Sequence, residues 1–176
     1  RRDGAMEPAA RDFGKAIKLR PEAANVYLAR ASALFQLEDY PAALADVDAA
    51  ILRAPSSAEA YTQRGRIDAA QGNADQAIAD FTKAIALDPG LADAYRYRGA
   101  VQAKRGDLDA AIADFNFAIE RAPDLAPAYL ARADVLEQLK QSDTRHERGQ
   151  HQRAERQRDQ RLAPAEPVAV KRERQR

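Results

Sequence analysis

The 176 residues include no cysteine, no tryptophan and only two histidines, and aromatic side chains make up 6% of the chain. Without cysteine there is neither a disulfide frame nor a thiolate metal site, which fits a reducing compartment and favours a cytoplasmic location. His146 and His151 stand five apart in a polar stretch, a spacing that points them away from each other on a helix. No cysteine or acidic cluster completes a ligand set, so neither a metal nor another cofactor is expected. Val, Ile and Thr, which fill pleated half-buried surfaces, are scarce, and this argues against a β-fold. No apolar run approaches the ~18 residues that a membrane-spanning helix needs. A glycine-rich phosphate loop, a nucleophile motif and a histidine with an acidic partner are all missing, so no catalytic chemistry is expected. The chain opens Arg1-Arg2-Asp3-Gly4, without Met or an apolar leader, and reads as an internal fragment.

What the chain has in quantity is alanine, and a period. Pro21, Pro55, Pro89 and Pro123 are spaced 34 residues apart, and the text between them repeats. Ala58–Pro89 (AEAYTQRGRIDAAQGNADQAIADFTKAIALDP) and Ala92–Pro123 (ADAYRYRGAVQAKRGDLDAAIADFNFAIERAP) share Tyr-x-x-x-Gly, then Gly-Asn/Asp, then Ala-Ile-x-x-Phe-x-x-Ala-Ile, then Pro. A fixed period of this length denotes stacked helical hairpins, each too small to bury its own apolar face. Full repeats are read at 22–55, 56–89 and 90–123. Residues 5–21 match only the second half of the unit, and 124–141 only the first. Residues 1–141 thus form one repeat domain, and 142–176 a polar basic tail.

Within each repeat, Gly72 and Gly106 end the first helix, since glycine enters the left-handed conformation without a Cβ penalty. Asn73 and Asp107 are expected to cap the second helix. In the first full repeat Glu38 takes the glycine column, which predicts a less regular turn, though Asp39 and Pro41 supply a cap and a first-turn proline. Pro8 is placed in the first turn of the opening helix, where its missing N–H does no harm.

Side chains recurring once per repeat are read as packing. Tyr27, Tyr61, Tyr95 and Tyr129 form one column, and Phe13, Val47, Phe81 and Phe115 another. Two charge columns also recur: Arg30, Arg64, Arg98 and Arg132, and Asp12, Asp46, Asp80 and Asp114. Beside buried columns an unpaired charge is costly, so they are expected to pair. The assignment that uses all eight joins neighbouring repeats: Asp12 with Arg30, Asp46 with Arg64, Asp80 with Arg98, and Asp114 with Arg132.

This pattern, over residues 5–140, resembles the tetratricopeptide repeat, a family of helix-turn-helix interaction modules. The resemblance implies an all-α fold, a right-handed α-solenoid of stacked antiparallel hairpins. Its concave wall, built by the first helices, usually holds an extended peptide or a partner helix. Carried onto this sequence, the wall comprises Asn25, Leu28, Ser32 and Phe35, then Glu59, Thr62, Arg66 and Ala69, then Asp93, Arg96, Ala100 and Lys104, then Leu130, Asp134 and Glu137. The packing columns repeat while these positions vary, and their mix suits a partly acidic, partly apolar peptide. One subgroup clamps the C-terminal carboxylate of heat-shock chaperones through Lys and Asn columns. Those columns here hold Leu28, Ser32, Gln63, Asp93 and Tyr97, so that clamp is not expected.

The function so implied is a non-catalytic scaffold binding a protein or peptide. An alternative is a docking or regulatory segment of a larger protein. A further alternative is nucleic-acid contact through the tail. There, residues 145–176 carry ten basic residues against five acids, leaving −4 on the rest of the chain. Glu147, Glu155, Asp159 and Glu173 interrupt the arginines and no aromatic residues interleave, which weighs against a nucleic-acid partner. So polar a stretch cannot bury a core, and it is read as disordered or as a detached helix over 144–162. Its Arg, Gln and His content resembles out-of-frame translation of a GC-rich gene.

Overall fold

The computed structural model describes residues 3–162, in which eight helices and no strands are found. They are α1 (Asp3–Leu19), α2 (Ala24–Gln36), α3 (Tyr40–Arg53), α4 (Ala58–Ala70), α5 (Ala74–Leu87), α6 (Ala92–Arg105), α7 (Leu108–Arg121) and α8 (Ala126–Leu162). The chain divides into two compact units, one ending at Leu136 and one beginning at Glu137. The first is a right-handed solenoid of stacked antiparallel hairpins, α2–α3, α4–α5 and α6–α7, with α1 packed on α2. The opening of α8 closes on the last hairpin: Ala128 packs with Ala118, and Val135 with Phe115 and Ala111. In the second unit the described side chains from Lys140 to Arg158 are exposed, apart from Gly149. Residues 144–162, expected to be disordered or a detached helix, lie in α8, which runs unbroken from Ala126 to Leu162, and the remainder of the tail lies outside the described residues.

Small residues let the helices of a hairpin touch. A Cβ on Gly65 would stand 2.8 Å from the Phe81 ring and 3.1 Å from the Ala77 carbonyl oxygen. One on Gly99 would stand 3.0 Å from the Phe115 ring and 3.1 Å from the Ala111 oxygen. The first hairpin keeps the volume by a paired exchange, Ala31 with Val47 replacing glycine with phenylalanine, and all four of these side chains or their counterparts are buried.

The turns are alike in all three hairpins. Gly72 and Gly106 adopt φ of 84° and 89°, and Glu38 adopts 60°, so the first turn is as regular as the others despite its glutamate. Each is closed by the same backbone bond: Asp39 N–H to Leu34 O at 3.0 Å, Asn73 N–H to Asp68 O at 2.9 Å, and Asp107 N–H to Gln102 O at 2.9 Å. Asn73 and Asp107 do not cap with their side chains. The Asn73 amide instead donates to Asp68 at 3.3 Å, and Asp107 lies 3.5 Å from Arg105. Asp39 and Ser57 are the side-chain caps, accepting from Ala42 and Ala60 N–H. Pro8 sits inside α1 rather than in its first turn, because the helix begins at Asp3.

The charge columns pair within hairpins, and the assignment between neighbouring repeats is overturned. Arg30 donates through Nε and Nη2 to both oxygens of Asp46 at 2.6 and 2.5 Å, Arg64 to Asp80 at 2.7 and 2.8 Å, and Arg98 to Asp114 at 2.8 and 2.8 Å. The reason is adjacency at the crossing. Each arginine directly precedes the small residue, and each aspartate directly precedes the large one, so the contact that seats Phe81 under Gly65 also brings Asp80 to Arg64. The aspartates are buried, and their hydrogen bonds raise all three guanidinium pKa values above the ordinary range. Asp12 pairs instead with Lys15 at 2.9 Å on the surface, and the Lys15 hydrogen bond lowers its carboxyl pKa.

A link between repeats does exist, through the remaining nitrogen. Nη1 of Arg64 donates to Asp48 at 2.9 Å, that of Arg98 to Thr82 at 3.0 Å, and that of Arg132 to Asn116 at 2.7 Å. In every case the acceptor stands two residues past the aspartate of the preceding hairpin. The corresponding position for Arg30 is Gly14, which offers no side chain.

Candidate functional site

The first helices α2, α4 and α6 lie side by side, each touching the next, so residues three and four apart on each make one wall. A cleft of about 240 Å³ opens across all three, lined by Phe35, Arg66, Ala69, Tyr97, Ala100 and Lys104, with Phe81 and Val101 behind them. Ala69 and Ala100 make the depression: alanines at these positions let the larger neighbours stand as its rims.

Arg66 lies at the centre. Its guanidinium carbon is 5.0 Å from the centroid of the Phe35 ring and 5.0 Å from that of Tyr97, with a ring on each side of the cation. Tyr97 is held in turn by stacking on Phe81, 5.9 Å between centroids. Among the described residues Arg66 makes neither an ion pair nor a side-chain hydrogen bond, and the exposed Lys104 makes none either. Arg96 differs. Its guanidinium carbon lies 4.0 Å from the Tyr97 centroid while it donates to Asp93 at 2.9 and 3.0 Å, so its charge is already met.

Of the residues that the sequence placed on the wall, the structure brings Phe35, Arg66 and Lys104 together in the cleft, with Arg96 at its margin. Ser32 sits at the near end, half-buried and accepting from Gln63 at 3.1 Å. Asn25, Glu59 and Asp93 are exposed, as are Leu130 and Asp134 on α8, and none of the five lines the cleft. Leu28 and Thr62 are buried; Leu28 belongs to the core shared with Ala31 and Val47, and Thr62 donates to the Ala58 carbonyl at 2.9 Å. They support the wall from behind and are corrected as contact residues. Tyr97, which the sequence placed among the clamp columns and not on the wall, also lines the cleft; its signal was its column, where Ala29, Gln63 and Ala131 stand elsewhere and only here is the residue aromatic.

Paired helices of this length, crossing at glycine over phenylalanine and recurring every 34 residues, have a counterpart among known families. A family profile for the tetratricopeptide repeat matches residues 30–95. Residues 30–95 carry tetratricopeptide repeats. The likeness in three dimensions extends beyond the matched segment. The crystal structure of MamA is 26% identical, with a TM-score of 0.68 over 80% of this chain and 82% of that one. The tetratricopeptide-repeat domain of Arabidopsis OM64 is 25% identical, with a TM-score of 0.64 over 66% of this chain and 97% of that one. The first such domain of Spaghetti (RPAP3), bound to the HSP90 peptide SRMEEVD, shares the fold at 21% identity and a TM-score of 0.63, over 66% of this chain and 93% of that one. A comparison with curated proteins finds no match. Tetratricopeptide repeats are protein-interaction modules, and among the described residues no helix is long and apolar enough to cross a membrane.

Proposed function

We propose that this chain is a non-catalytic scaffold whose cleft between α2, α4 and α6 holds a segment of a partner protein, with an acidic side chain over Arg66 and an aliphatic one against Tyr97 and Ala100. The observation that carries this is Arg66 itself. A guanidinium held between two rings, half-desolvated and without a carboxylate among the described residues, favours an incoming anion over water. Lys104 adds a second positive charge at the same rim, whereas Arg96 is already neutralised by Asp93. The acidic HSP90 peptide remains a property of the RPAP3 structure: the positions that would clamp a C-terminal carboxylate here are Leu28, Ser32, Gln63, Asp93 and Tyr97, of which Leu28 is buried.

Selection of a random peptide library on the whole chain, followed by calorimetric titration of the enriched peptides, tests this reading. Peptides with Asp or Glu beside Leu, Ile or Val should dominate, and Arg66→Ala with Lys104→Ala should weaken them by more than about tenfold, as anchoring arginines do. The melting temperature should stay nearly unchanged, because neither side chain makes an ion pair that folding depends on. Peptides that bind the double variant as well as the parent chain would place the site elsewhere.

A further inference from the structure

The opening of α8 presents the columns of a first helix without the second helix that normally covers them. Tyr27 and Tyr95 are 8% and 7% exposed, while Tyr129 in the same column is 40% exposed, and Leu136 reaches 49%. Arg132 shows the same deficit in charge. It keeps the bond to Asn116 that its counterparts make to the preceding repeat, but the residue sixteen further on, where the others find aspartate, is Arg148. Among the described residues Arg132 makes no ion pair.

The missing half of this crossing exists on α1. Each complete hairpin joins an Arg-small dipeptide to an Asp-large one: Arg30-Ala31 to Asp46-Val47, Arg64-Gly65 to Asp80-Phe81, Arg98-Gly99 to Asp114-Phe115. Arg132-Ala133 has no such partner, and neither does Asp12-Phe13. Asp12 is 71% exposed and, among the described residues, engaged only by Lys15 three residues away, and Phe13 is half-buried where Phe81 and Phe115 are fully buried. Ala9 and Ala16 complete the second-helix columns around them.

We infer that the α8 face formed by Tyr129, Arg132, Ala133 and Leu136 docks α1 of a second copy of this chain. Arg132 then grips Asp12 of the second copy with Nε and Nη2 while Nη1 stays on Asn116, as Arg98 grips Asp114 and Thr82. Phe13 of the second copy lies against Ala133, whose Cβ, absent at Gly65 and Gly99, sets this crossing wider than those in the complete hairpins. The two surfaces are different faces of the chain, so the contact is heterologous and leaves a free face at each end of the pair. Association therefore proceeds to a concentration-dependent series and does not stop at a dimer.

Sedimentation velocity of the whole chain, from micromolar to submillimolar, reads this directly. The weight-average mass should climb above that of one chain as concentration rises. Asp12→Arg and Arg132→Asp, each checked for helix content by circular dichroism, should each weaken association by more than about tenfold, and the two reversals combined should restore it. Arg66→Ala should leave the series unchanged, which separates this face from the cleft. A single-chain mass at every concentration overturns the inference and leaves the face to a helix from another protein. Association that ignores both reversals, or that the double reversal fails to restore, overturns it as well.

Discussion

The helix α4 and the opening of α8 share Ala-x-Ala-Tyr and the arginine three residues on, and meet different fates. Both place a tyrosine, an arginine and a small residue along one face of a first helix. In α4 the arginine is tied to a buried aspartate and the small residue is sealed beneath Phe81. In α8 Tyr129 and Leu136 are exposed, and the arginine has a hydrogen bond to the neutral Asn116 in place of a carboxylate. A column in a repeat sequence thus specifies a side chain's direction, while its burial is supplied by the next helix. That division predicts how unequal the same substitution is in the two places.

The widest gap should come from deleting bulk. Phe81→Ala empties a fully buried site and should cost about 3–5 kcal/mol in chemical denaturation, whereas Leu136→Ala, half-exposed, should cost under about 1. Equal losses would show that the α8 face is as buried in solution as α4. Next comes charge. Asp80→Ala leaves Arg64 facing a desolvated gap and should cost about 3 kcal/mol, somewhat offset by the partial exposure of the guanidinium, while Arg132→Ala should cost less than about 1. The smallest expected effect lies in the turns: Glu38→Gly relieves a left-handed glutamate and should stabilise by about 1 kcal/mol, while Gly106→Ala should destabilise by a similar amount. No gain from Glu38→Gly would mean that the first turn is relaxed by something other than backbone conformation.

The repeat period, the hairpins and the inward columns were all legible in the sequence, because a 34-residue recurrence of Tyr, Gly, Phe and Pro leaves few arrangements. The ion-pair partners were not. Column spacing shows that Arg64 and an aspartate face the same layer, but Asp46 and Asp80 satisfy it equally. The deciding fact was that arginine neighbours the glycine and aspartate the phenylalanine, so close packing selects between them. Counting pairs favoured the wrong choice, since it assumed that Asp12 and Arg132 must be satisfied within one chain. On the wall, Phe35, Arg66 and Lys104 line one cleft, whereas Leu28 and Thr62 are buried. Their position faces the adjacent first helix, and it opens to solvent only where no such helix follows, as at Leu130.

The Nη1 bonds have a further consequence for how the chain comes apart. Stability in a stacked array divides between each unit and its junctions, and unfolding spreads from whichever junction is weakest. Arg64 and Arg98 each carry a hydrogen bond across their junction, but Arg30 meets Gly14 and carries none. The junction between α1 and α2 is accordingly the one without a clasp. Among the stacked helices α1 to α7, amide exchange should be fastest in α1, with α4 to α7 opening later and together, so the solenoid unzips from its N-terminal helix as a sequence of steps with a cooperative middle.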